Sequence, residues 1–187
     1  LIPGLAAMAA ITFLVREKPR ENIIRTPFWQ SLNRLPSNFR KFLIAVLIFG
    51  LGDFSHTLLI LLAAQQLSHT HSMVEATRLA ALLYIVHNVV YASSSYISGA
   101  LGDRFSKRTL LAIGYFLAAI MSGVILTSPI TVISVGIVFL IAGIYVGMEE
   151  ALEDSFAAEL LPAELHGTGF GSLAFINAIG DLVSSIA

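Results

Sequence analysis

Residues 98–111 read SGALGDRFSKRTLL. Upstream, Leu79 to Gly102 carries no charged side chain. Within the stretch, Asp103, Arg104, Lys107 and Arg108 crowd into a few positions, and from Thr109 to Met148 charge vanishes again. Each flanking run exceeds the ~20 apolar residues that carry a helix across a bilayer core. A charged hinge between two such runs reads as a short loop that sends the chain back into the same membrane.

The composition agrees. Of 187 residues, 56% are hydrophobic and 12% charged, against about 25% charged in soluble domains; the mean hydropathy is +0.82. Half the usual charge leaves too little polar surface to hold the chain in water, so the expected class is an all-α polytopic membrane protein in contact with the lipid bilayer. The net charge of −1 is neutral on nucleic acid, but no basic groove or aromatic-interleaved patch occurs, and nucleic acid is dismissed as a partner. The absence of cysteine excludes disulfides, thiolate metal sites and cysteine nucleophiles. The first residue is Leu, inside an apolar run, and "DLVSSIA" stops partway through another; the expectation is an internal piece of a longer protein.

Residues 1–15 read as the end of a spanning helix. A polar link follows over 16–38, with prolines at 19, 27 and 36 and with Arg16, Lys18, Arg20, Arg25 and Arg34. Inside it, Phe28, Trp29, Leu32 and Leu35 share one face, as in a short helix lying on the membrane surface; an ordinary loop is the alternative. Four hydrophobic segments come next, over 39–66, 75–100, 109–127 and 130–156, and a last one runs over 167–187. Ser128-Pro129 alone separates the third from the fourth, which predicts a tight hairpin. With the 16–41 link, the 102–108 hinge and the 157–166 turn on one side, ten of the eleven Lys and Arg residues lie there and Arg78 lies opposite. The positive-inside rule makes that side the cytoplasm.

The hinge resembles the loop motif G-x-x-x-D-R-x-G-R-R of the major facilitator superfamily, with Gly99, Asp103, Arg104, Lys107 and Arg108 in register and Ser106 at the second glycine. A plain basic stop-transfer loop is the alternative. Two further stretches are similar to the same superfamily. In 143–171, Gly143, Gly147, Glu150, Pro162, Gly167, Thr168, Phe170 and Gly171 match a tenth-helix pattern and the start of the eleventh, with His166 replacing Arg. In 51–63, "LGDFSHTLLILLA" resembles a seventh-helix pattern, with Asp53, His56 and Leu62 replacing Asn, Asp and Arg. The resemblance implies a partial C-terminal half of an MFS-type helix bundle: 1–15 as the end of helix 6, 16–38 as a cytoplasmic linker, and 39–187 as helices 7 to 11. It also implies an N-terminal half as partner, alternating access by rocking bundles, and a multi-pass location in a cytoplasmic (inner) membrane.

Gly99 can let a neighbouring helix approach, and Asp103 can face the positive end of another helix. Glu149, Glu150, Glu153 and Asp154 follow nineteen uncharged residues and are expected near the cytoplasmic boundary. Glu149/Glu153 and Glu150/Asp154 are like-charge i, i+4 pairs that need cations to answer them. A gate of salt bridges to Arg104, Lys107 or Arg108 is the expected answer, with solvated surface charge the alternative.

A charge inside a spanning helix costs roughly 2.5–3.5 kcal/mol on insertion scales and faces a cavity or a partner. Asp53 lies halfway along its segment, with His56 on the same helical face. Burial drives both toward neutrality, so the pair is a candidate proton site, or else a structural polar pair. His87, Asn88, Asn177 and Asp181 are the other polar groups at depth, and would converge with Asp53 on one cavity. A lone histidine such as His87 is more often an interhelical hydrogen-bond partner than a ligand. No zinc-peptidase, nucleophile-elbow or phosphate-loop pattern occurs, so no enzyme, metal or cofactor is expected. The expected function is secondary transport of a small organic or drug-like solute, coupled to protons. A non-transporting membrane sensor or assembly subunit with the same fold is the alternative.

Overall fold

A computed structural model describes residues 2–16, 28–53, 56–129 and 131–186, which form helices and no strand. In chain order these are α1 (Ile2–Leu14), α2 (Phe28–Asn33), α3 (Ser37–Gly50), α4 (His56–Leu67), α5 (Met73–Gly102), α6 (Lys107–Thr127), α7 (Val132–Leu160), a 3₁₀ turn (Ala163–Leu165) and α8 (His166–Ile186). The helices α5, α6, α7 and the continuous stretch Ala163–Ile186 are long and apolar enough to cross a membrane. The fold is an all-α membrane bundle.

One segment departs from expectation. The 39–66 run is two helices of 14 and 12 residues, α3 and α4, rather than one span. Its sequence at the break is Gly50-Leu51-Gly52-Asp53. Glycine is among the poorest helix formers, and two in three residues remove the side-chain packing that would carry the helix onward. The backbone leaves the helix through tight turns, Gly52 N–H to the Phe49 carbonyl (2.9 Å) and Asp53 N–H to the Gly50 carbonyl (3.3 Å). The halves also have different neighbours: α3 packs on α8, whereas α4 packs on α5.

Helix α7 is the axis of the bundle, packed on α3, α5, α6 and α8. Its approach to α5 depends on Gly143 and Gly147. A Cβ at Gly143 would sit 2.8 Å from the His87 carbonyl oxygen, and one at Gly147 would sit 2.6 Å from that of Tyr91. Lipid tails are as apolar as leucine, so close packing of this kind, rather than expulsion from water, holds helices together in a bilayer. At the hinge the close contact belongs to Gly102, where a Cβ would lie 2.9 Å from Leu152 Cδ2. Gly99, expected in that role, faces open space.

The helix starts are written locally. Ser72 and Glu75 form a reciprocal capping box at the start of α5, and Thr131 with Ser134 does the same for α7. The second cap closes the tight α6–α7 hairpin that Ser128-Pro129 predicts. The link half-confirms its amphipathic reading. Leu35 is buried in the bundle and Leu32 packs against it, while Trp29 is 76% exposed. The short α2 thus docks on α8 instead of lying wholly on a membrane surface. Arg40 fastens the join, donating to the carbonyls of Leu35 (2.9 Å) and Asn33 (3.1 Å). Lys18, Arg20, Arg25 and the side chain of Phe28 lie outside the described residues.

The apolar interior is in two parts. One, at the hinge end, joins Phe39, Phe42 and Val46 of α3 to Leu111, Leu152, Leu161 and Leu173. The other joins Leu59 and Ala63 of α4 to Ala80, Met121, Phe139 and Ala142. The α3–α4 break falls between them.

Candidate functional site

Asp53 stands at that break, and the space beside it is a cavity of about 370 Å³ lined by Gly50, Asp53, Val146, Glu149, Glu150, Glu153, Asp154, Asn177 and Asp181. Irregular backbone at membrane depth survives only where protein buries it or where it lines a wet cavity. The broken helix and the cavity therefore explain each other.

Four of the lining carboxylates come from one helix. Positions 146, 149, 150 and 153 recur at helical spacing and so share a face of α7. Because α7 continues to Leu160, Glu149 and Glu153 lie roughly 16 and 10 Å short of its end at 1.5 Å per residue. Glu153 is buried inside the bundle and Glu149 is half-buried, while Glu150 and Asp154 are exposed. From α8, Asn177 and Asp181 complete the wall at i, i+4.

Among the described residues, the donors that answer three of these carboxylates are neutral. Tyr145 Oη of α7 donates to Asp53 Oδ1 at 2.7 Å. Tyr115 of α6 donates to Glu153 Oε1, whose other oxygen receives Asn177 Nδ2 at 3.0 Å. Tyr91 of α5 donates to Glu150. Glu153 is only 4% exposed, so an unanswered carboxylate there would be costly, and both its oxygens are occupied. Phe49 ties the layer together, stacked on Tyr115 at 3.9 Å between centroids and edge-on to Tyr145 at 6.3 Å.

The cations expected to answer this cluster stand elsewhere. Among the described residues, one ion pair forms, between Lys107 and Glu159 near the end of α7. Asp103 and Arg104 are exposed, and no side-chain hydrogen bond joins either of them to another described residue. Among the described residues, no salt bridge joins Arg104, Lys107 or Arg108 to Glu149, Glu150 or Glu153 in this arrangement.

His87 and Asn88 line an adjoining recess with Tyr84, Tyr91, Val146 and Glu150. The His87 ring is buried, lies near-parallel between Tyr84 and Tyr91, and meets the Phe139 carbonyl through Nδ1 at 3.2 Å. This is the interhelical bond that the sequence allowed. Asn88 turns back on its own helix, donating to the Tyr84 carbonyl at 2.7 Å. His56 opens α4, but its side chain lies outside the described residues. No group of His, Asp and Glu with metal-binding geometry occurs among the described residues.

The structure thus unites Asp53, Asn177 and Asp181 with the acidic cluster of α7, groups the sequence placed at separate levels. The tyrosines are the members that sequence reading missed. Their signal was present for one of them: Tyr145, Glu149 and Glu153 recur at i, i+4, i+8, one stripe of α7.

The family model of the Major Facilitator Superfamily matches residues 1–185. An uncharacterized MFS-type transporter of Methanocaldococcus jannaschii is 25% identical over 174 residues, covering 93% of this chain and 43% of that protein. The chain therefore spans less than half the length of this relative. No solved structure matches.

Proposed function

The chain belongs to the major facilitator superfamily, and we propose that it is most of the C-terminal half of a proton-coupled secondary transporter in a cytoplasmic membrane. In this reading α1 is the end of helix 6, α3 and α4 are the two parts of helix 7, and α5 to α8 are helices 8 to 11. An N-terminal half supplies the facing wall. The transported solute is a small organic or drug-like molecule, and Asp53 carries the coupling proton.

One observation carries the reading. A carboxylate at a helix break opens onto a cavity with six acidic side chains and no basic one among its described lining. Such a cavity repels anions and favours a proton or a positively charged group. The break adds a mechanical reason, since α3 and α4 can follow different neighbours when access alternates. Asp53 can then be sealed in one state, where desolvation favours its proton, and wetted in the other, where the proton leaves.

The test is reconstitution of the full-length protein in vesicles holding a pH-sensitive dye. A panel of neutral, cationic and anionic organic solutes is added outside. Proton movement on adding neutral or cationic solutes, and none with anionic ones, is the expected result. A protein that binds a solute yet moves neither it nor protons would be a sensor that has kept the fold.

A further inference from the structure

We propose that Tyr145 is the positioning residue for Asp53 and ties its protonation to the packing of α7. The proposal rests on the reading that Asp53 exchanges the proton. Asp53 follows the last turn of α3 and precedes α4, so no helix of its own fixes its carboxyl. Tyr145 reaches it from the bundle axis, Oη to Oδ1 at 2.7 Å.

The phenol cannot easily turn elsewhere. Tyr145 is 1% exposed, its ring is held by the edge-on contact with Phe49, and Phe49 is stacked on Tyr115. Its backbone is held as firmly, because Gly143 and Gly147 on either side press α7 onto the backbone of α5. A hydroxyl buried this deeply needs a partner. An ionised carboxylate makes that bond about twice as strong as a neutral acid does. Tyr145 therefore grips the break when Asp53 is charged and loosens it when Asp53 takes a proton. Since α7 and α5 move together through their glycine contact, the proton's arrival is felt along both.

The other described groups that line the Asp53 cavity, Glu150 and Asp154 of α7 among them, are acidic or neutral. Glu149 and Glu153 stand on α7, and Asp181 with Asn177 on α8. Tyr115 stands on α6, bound to Glu153. Tyr145→Phe keeps the ring and removes only the hydroxyl, so the fold should survive.

Infrared difference spectroscopy of the purified full-length protein reads the carboxyl without any transported solute. Over a pH titration, the Asp53 carboxylic C=O band is the one lost in Asp53→Asn. In Tyr145→Phe that band is expected to move to higher frequency. Its titration midpoint is expected to move to higher pH by about one unit, a tenfold change in proton affinity, because the lost bond favoured the charged form. Tyr115→Phe, which removes a hydroxyl bonded to Glu153 rather than to Asp53, should leave the band in place. If Tyr145→Phe moves neither frequency nor midpoint, Tyr145 is a packing residue and the proposal falls, while Asp53 keeps its role. If Asp53→Asn removes no titrating band, the proton reading falls and takes Tyr145 with it.

Discussion

Glu153 shows best how this chain keeps acidic groups inside an apolar bundle. Its oxygens are met by Tyr115 and Asn177, donors that satisfy a carboxylate without neutralising it. Leaving one oxygen of a buried acid unmet costs about 1–3 kcal/mol. Tyr115→Phe should therefore lower the stability of the detergent-solubilised full-length protein by that order, read as a lower midpoint in thermal unfolding. An unchanged midpoint would mean that water replaces the hydroxyl without loss and that the donor is dispensable. The hinge carries the opposite expectation. Reversing Arg104 together with Glu149 should give additive effects on transport, since the two do not meet. Mutual rescue would instead reveal a state of the protein in which hinge and cavity touch.

At the scale of the helices, the α5–α7 contact and the α3–α4 break decide the architecture. Gly147→Ala would place its Cβ against backbone atoms of α5, 2.6 Å from the Tyr91 oxygen and 2.8 Å from the Ser95 nitrogen. Backbone cannot step aside as a side chain can, so the variant should lose folded yield on size-exclusion chromatography. Gly99→Ala meets nothing within 4 Å and gains helix propensity worth up to ~1 kcal/mol, so its yield should match the parent. Equal losses in both would contradict the packing described here. These elements also mark what the sequence could tell. Long uncharged runs make α5, α6 and the first part of α7 readable without coordinates. The break was hidden because hydropathy is continuous across 39–66, and only Gly50 and Gly52 hint at it. Apolarity stops at Met148, but the helix runs on to Leu160, supported by tertiary donors that lie far away in sequence.

Across the whole molecule, the hinge, the start of α3 and the 161–165 turn gather at one end, joined by Phe39, Leu161 and Leu165 and by the Lys107–Glu159 pair. In the proposed topology, which rests on the positive-inside rule, that end faces the cytoplasm. Single cysteines at Ser37 and Ser106 should be labelled from that side only, and one at Thr70 only from the other. Labelling of both groups from one face would overturn the topology. The chain reversals at the hinge and at Ser128-Pro129, which the sequence placed correctly, depend on patterns along a single helix. What it missed, the meeting of Asp53 with the α7 acids and their tyrosine donors, depends on which helices become neighbours. The central claim is that this meeting point moves a proton with a solute. Vesicles of full-length protein, given a solute that the panel identifies, separate driven uptake from passive exchange. Asp53→Asn should abolish accumulation driven by a pH gradient while exchange of labelled for unlabelled solute continues. Accumulation against a gradient by Asp53→Asn would contradict the account and leave Asp53 a structural group at a helix break.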